Sequence, residues 1–158
     1  MLLVKAYTEL TVGKCKSSVD MSGKTVIITG SNTGIGKETA RELARRNARV
    51  ILACRNHSKA REAAEDILKT TGRHVVRMQL DLCSFDSVRD FASKVIASEE
   101  RLDVLINNAG MMSPPKREET KDGLDVTFQA NHLGHFLLTH LLLGKYSHMR
   151  TDRLANCF

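Results

Sequence analysis

The sequence predicts an α/β fold, an open parallel sheet of about four strands with helices on both faces. Three observations carry that expectation. Short apolar, β-branched runs alternate four times with stretches whose apolar residues recur at helical spacing. The first of these runs ends in a glycine-rich turn that opens a helix. The chain's 158 residues, 42% hydrophobic and 27% charged, suit one globular domain and include no Gly/Ser-rich or charged run that could act as a linker.

"KTVIITG", residues 24–30, is β-branched and ends at glycine, as a strand buried on both faces would. From Gly36 to Arg46, Ala40, Leu43 and Ala44 fall on one helix face. "RVILAC", residues 49–54, is the second strand. Asn56 or Ser58 then caps a helix striped by Ala60, Ala63, Ala64, Ile67 and Leu68, which Gly72 ends. "HVVRMQLDL", residues 74–82, is the third strand, and Ser84 caps a helix carrying Val88, Phe91, Ala92, Val95 and Ile96. "LDVLINNAG", residues 102–110, is the fourth strand. A loop with Pro114 and Pro115 leads to a long helix over about residues 122 to 143. Parallel neighbours need right-handed helical crossovers, so the units are expected to assemble into an open, Rossmann-type sheet whose first half resembles a mononucleotide-binding unit.

The chemistry starts at "TGSNTGIGK", residues 29–37. Gly30 sits at the tight turn, Gly34 inside it, and Gly36 where the helix must approach strand or ligand without a Cβ. The free amides and positive end of the helix would then face a pyrophosphate. No GK[ST] follows, which argues against an ATP or GTP loop. Where NAD-selective sites place a carboxylate after the second strand, this chain has Cys54 and Arg55. With no carboxylate to repel it, and with Arg55 and Lys37 available to pair with it, a ribose 2′-phosphate is favoured, so the expected cofactor is NADP(H). The competing reading makes Arg55 an ordinary surface arginine.

Other function classes fit poorly. The formal charge of +6 comes from basic residues interleaved with acidic ones on predicted helices, as in "KETARELARRNAR", so no nucleic-acid partner is expected. The four cysteines are far apart, with no CxxC pair, which fits a reducing compartment. His132, His135 and His140 lack a further ligand set, so no metal is expected. Four apolar residues at the N-terminus are far fewer than the ~20 that span a bilayer, so membrane attachment is not evident.

"TGSNTGIG", "LACR", "LDL", "NNAG" and "NHLGHFLLT", in that order, resemble the short-chain dehydrogenase/reductases, and within them the retinol dehydrogenase-like branch. The resemblance runs over residues 15 to 144. It implies a cofactor held by Gly30 to Gly36 with Asn32, Thr33 and Ile35 lining the turn, and a 2′-phosphate on Arg55. Asp81 and Leu82 would meet the adenine. Asn108, Ala109 and Gly110 would lie against the ribose, while Asn107 steadies the fourth strand. Asn131 matches the family's catalytic asparagine, which holds a water in the proton path. Asp81 as a turn cap, and "NNAG" as a plain exit from a strand, are the bland alternatives. The implied activity is an NADP(H)-dependent oxidoreductase acting on a hydrophobic alcohol or carbonyl. The implied location is the cytoplasm, with association with the endoplasmic reticulum as the alternative.

The family's proton chemistry uses a serine and a Tyr-x-x-x-Lys pair. This chain offers Tyr146 with Arg150, only fifteen residues after Asn131 and without an intervening strand. A second register, through "DRLANCF", puts Met149 and Arg153 in the tyrosine and lysine places. Arginine cannot copy a lysine ammonium on ribose hydroxyls. The expected organisation is therefore an extension at 1–20, an incomplete NADP-binding domain at 21–144 and an aberrant tail at 145–158. The tail reads as the product of a deletion, an alternative transcript or a faulty gene model. Turnover is expected to be lost. The rival reading is an inactive cofactor-binding or interaction protein that pairs with a second copy or a full-length relative, through an exposed fourth strand or the long helix.

Overall fold

The computed structural model describes residues 17–146. The expectations for Met149, Arg150 and Arg153, and for most of the 1–20 extension, lie outside the described residues. Within them the α/β expectation holds. Strands β1 (Thr25–Thr29), β2 (Arg49–Cys54), β3 (Val76–Gln79) and β4 (Val104–Ile106) alternate with helices α1 (Gly34–Arg45), α2 (His57–Thr71) and α3 (Phe85–Ser98). After β4 come a single α-helical turn, Val126–Phe128, a π-helical turn, Gln129–Leu133, and α4, Gly134–Tyr146. The sheet is parallel, in the order β3-β2-β1-β4.

Period-two alternation sends the strand residues to two separate cores. Ile27, Ile51 and Ala53 point to the face covered by Val88, Phe91 and Val95 of α3 and Leu138 and Leu142 of α4. Val26, Ile28, Val50 and Leu52 point to the face covered by Ala40 and Ala44 of α1 and Ala60, Ala63 and Ile67 of α2. The small residues of α1 and α2 let those helices lie close to the sheet. Asn56 caps α2 by accepting from the Lys59 amide at 2.9 Å, and Gly72 ends it at φ 68°. Ser84 caps α3 through the Ser87 amide, as expected.

The differences are at the edges. β3 keeps four residues of the nine expected, and β4 three of nine. Leu82 and Leu102 are buried without being laddered, so their apolarity reports core contact rather than strand pairing, while Leu80 still donates its amide to Cys54 O of β2 at 3.1 Å just past the end of β3. Ile96 is 46% exposed and falls outside the α3 stripe. The long helix begins at Val126, capped by Asp125, because residues 118–125 form a hydrogen-bonded turn around Gly123.

The N-terminal rim of the sheet is held by ion pairs. Asp103, with its side chain 2% exposed, accepts from the Thr25 amide at 2.9 Å, from Lys24 Nζ at 3.1 Å and from Arg101 Nε at 2.9 Å. Arg49 binds Glu99 through two bonds of 2.6 and 2.8 Å. Burial alone would raise the Asp103 pKa, but the Arg101 bond, the Thr25 amide and Lys24 outweigh it and hold the carboxyl below its ordinary 3.8. A depressed folded-state pKa contributes stability above about pH 4, and that contribution fades as pH falls through the folded value. Asp103→Asn should therefore cost about 2 kcal/mol at neutral pH. The cost stays moderate because both cations are half exposed, and the deficit should close towards pH 3 in denaturant titrations.

Candidate functional site

The described residues enclose a cleft of about 280 Å³ at the carboxyl ends of β1, β2 and β3, the place where open α/β sheets bind ligands. Of the residues expected there, Gly30, Asn32, Arg55, Asp81, Leu82, Ala109 and Gly110 line it. Thr33, Gly34, Ile35, Gly36, Lys37, Asn108 and Asn131 are not on its wall.

The glycine turn is built as the spacing requires. Gly30 has φ 64°, and a Cβ there would meet Cα of Ala109 at 2.8 Å. A Cβ on Gly36 would run into Asn108 Nδ2 and lie 2.9 Å from the Gly30 carbonyl oxygen. The turn is anchored by the Gly30 amide, which donates to Ala53 O at 2.9 Å, and by buried Ser31, whose hydroxyl donates to Ile28 O at 2.8 Å. Thr33 precedes α1 in an extended conformation and makes no side-chain cap. The positive end of α1 is thus left for an anion.

Around the second strand's end the cation set differs from expectation. Arg55 lines the cleft, but Lys37 does not: its Nζ is 2.6 Å from Asp66 on α2, which also binds Arg41 at 2.8 Å. The Lys37 bond, then the Arg41 bond, hold the Asp66 carboxyl down at about 2. The second cation on the wall is Lys59, one turn into α2, beside the cap residue Asn56. Among the described residues neither Arg55 nor Lys59 forms a salt bridge. Lys59 stands in the first turn of α2, directly after the strand end that carries Arg55, and a lysine at that place was the available signal.

Neither Asn107 nor Asn108 has its side chain where the sequence reading expected it. Asn108 Nδ2 donates to Thr29 O at 2.9 Å, so this side chain ties β4's exit to β1 instead of facing the cleft. Asn107 instead donates to Thr139 Oγ1 on α4 at 3.1 Å. Asp81 lines the cleft and also accepts from the Cys83 amide at 2.9 Å, so its wall position and its turn-capping role coexist. Cys83 itself lines the cleft; burial, then the neighbouring Asp81 charge, push its thiol pKa up.

Asn131 lies in the π turn. Its Oδ1 accepts from the Met111 amide and its Nδ2 donates to the Met111 carbonyl, both at 2.9 Å. The side chain therefore fixes the segment after β4, and Met111 lines the cleft. Buried Gln129 donates to Asp122 at 2.6 Å, and Asp122 in turn accepts from the Phe85 amide at 2.8 Å, which ties the π turn to the start of α3. Gly134, to which the sequence reading gave no role, packs against Leu82 in the segment after β3. A Cβ there would lie 2.6 Å from Leu82 O. A glycine inside an apolar helix pattern was the available signal.

Residues 24–153 match the family model described as short chain dehydrogenase. The chain is 52% identical over 156 residues to retinol dehydrogenase 13 of Homo sapiens, covering 98% of this chain and 46% of that protein. It is 51% identical over 148 residues to retinol dehydrogenase 11 of Homo sapiens, covering 93% and 46%. The chain thus spans about half the length of the curated relatives it matches. A metagenomic short-chain oxidoreductase solved in complex with NADP superimposes with a TM-score of 0.71 at 30% identity, over 82% of this chain and 58% of that one. With the glycine turn, the β3-β2-β1-β4 order and these likenesses together, the chain belongs to the short-chain dehydrogenase family and is retinol dehydrogenase-like.

Proposed function

We propose that the cleft binds NADP(H) and that the protein serves an oxidoreductase acting on a hydrophobic alcohol or carbonyl. One observation carries the cofactor choice: the end of β2 presents Arg55 and Lys59 to the cleft, beside the uncapped end of the glycine turn, and presents no carboxylate. The residues fit the group. Gly30 and Gly36 let the turn close against Ala109, Asn108 and its own backbone where a Cβ would collide, and that tight turn opens the helix end that a pyrophosphate would meet. These two cations, without a salt bridge among the described residues, suit a 2′-phosphate, which makes charge-assisted bonds with guanidinium and ammonium groups. Leu80, Leu82 and Ala53 supply an apolar wall for a base. When bound, the nicotinamide supplies or accepts the hydride.

Asn131 and Met111 shape the far side of the cleft through their paired hydrogen bonds. The finer reading is that these 158 residues bind cofactor without turnover. The residue four after Tyr146 is Arg150, and removal of an acid/base group typically costs 10²- to 10⁴-fold.

Thermal unfolding with NADPH, with NADH and without cofactor tests the binding reading. NADPH at about a hundred times Kd should raise Tm by on the order of 5–10 °C, with a smaller shift for NADH. No NADPH shift would overturn the assignment. NADPH consumption with retinal by the purified chain would overturn the loss of turnover.

A further inference from the structure

The hydroxyl of Thr29, at the end of β1 beneath the glycine turn, has a full set of partners. It accepts from the Asn108 amide at 3.0 Å and the Ala109 amide at 2.9 Å. Those two donors fill its two acceptor sites and leave one hydroxyl proton to give. His135 Nε2 lies 2.8 Å away and Ile106 O lies 3.4 Å away. A hydrogen on Nε2 would make a third donor aimed at an oxygen with no lone pair left. Nε2 must therefore accept, and the imidazole proton resides on Nδ1, which stands 3.3 Å from the main-chain oxygen of Asn131.

We propose that His135 is a positioning residue: held by Thr29 as the neutral Nδ1–H tautomer, it locks the Asn131 carbonyl and the π turn to the strand end that carries the glycine turn. The tautomer follows from the geometry alone; its functional sense rests on the cofactor reading above. The bonds close a ring around one wall of the cleft. Thr29 holds Ala109, the chain runs on to Met111, Met111 is paired with Asn131, and Asn131 returns to Thr29 through His135. Two members of that ring, Ala109 and Met111, line the cleft. His135 is 6% exposed, and burial pushes its pKa below the ordinary 6.5, against the opposing pull of the Asn131 carbonyl, in keeping with a neutral ring.

The test is two-bond proton–nitrogen NMR on the full chain labelled with 15N-histidine, at pH 7, with and without NADPH. The expected spectrum shows His135 with a protonated Nδ1 and a bare Nε2 in both states. Thr29→Ser, which keeps the hydroxyl, should preserve that pattern, and Thr29→Val should release it towards the Nε2–H form. His135→Gln can still accept from Thr29 but moves its donor, the terminal NH2, off the Nδ1 position that faces the Asn131 carbonyl. It should move the Asn131 carbonyl 13C resonance and raise the NADPH Kd about fivefold, the worth of one hydrogen bond. An Nε2–H ring or an imidazolium in the wild type overturns the proposal, and so does an unchanged NADPH Kd in a folded His135→Gln. Failure of NADPH to bind a wild-type chain that shows the Nδ1–H ring would overturn the cofactor reading and leave the tautomer standing.

Discussion

Arg55→Asp should weaken NADPH binding by about a hundredfold while leaving NADH binding unchanged or improved. A hydrogen bond to a charged group contributes about 1.5–3 kcal/mol, and 1.4 kcal/mol is tenfold in Kd. The aspartate adds repulsion of a 2′-phosphate and can accept from a free 2′-hydroxyl, as NAD-selective sites do. Lys59→Ala should lose less, about fivefold to tenfold, because a single flexible ammonium makes a less ordered contact than a guanidinium fork. Lys37→Ala should change little, since that ammonium is already bound to Asp66. Calorimetric titrations with both cofactors at one ionic strength separate the three variants. Equal losses for NADPH and NADH in Arg55→Asp would show that this side chain does not read the 2′ position.

The largest expected stability effect belongs to Gly30→Val. At φ 64° a branched side chain is strained, at a cost of about 1–3 kcal/mol. Its Cβ would also press on Ala109 Cα at 2.8 Å, and overpacking costs about 1–3 kcal/mol more. Ala109 cannot step aside cheaply, because its amide is tied to Thr29. The sum, about 4 kcal/mol, is a large share of the 5–15 kcal/mol that domains typically possess. Gly34→Ala is the control. It has φ 56° but nothing within 4 Å of its Cβ, so only the backbone cost of about 1–2 kcal/mol remains. Equal losses of unfolding free energy in urea would refute the collision with Ala109.

The central part of the fold was legible because its residues satisfy one constraint each. Residues 49–54 are apolar throughout apart from Arg49, and β2 is buried on both faces at those bounds. Asn56, Gly72 and Ser84 mark helix ends through local hydrogen bonding or positive φ, which neighbouring sequence suffices to determine. The edge strands were over-read because Leu82 and Leu102 satisfy burial without pairing, and periodicity cannot distinguish the two.

The glycine turn was legible because backbone geometry selects the residue type at Gly30 and Gly36, and Arg55, which follows directly from a strand end, does line the cleft. It was misread where partners come from distant sequence. Lys37 is claimed by Asp66, twenty-nine residues on. Asn108 turns inward because Thr29 O, 79 residues away, needs a donor. The π turn left no compositional trace, since the residues that sustain it, Gln129 and Asp122, act through a loop.

That wide turn sets the rotational phase of everything after it. The π turn of Gln129–Leu133 already carries one residue more than an ordinary turn, so a deletion there that restores a regular ladder would leave α4 nearly in phase, whereas one position lost from the ordinary ladder at the start of α4 would swing the rest of that helix by about 100°. Leu138 and Leu142 would then leave the sheet, and outward-facing Phe136 and Leu143 would turn towards it. Spacing after the π turn is accordingly less tolerant of a lost residue than spacing within it, where a surplus position can be given up without turning the helix.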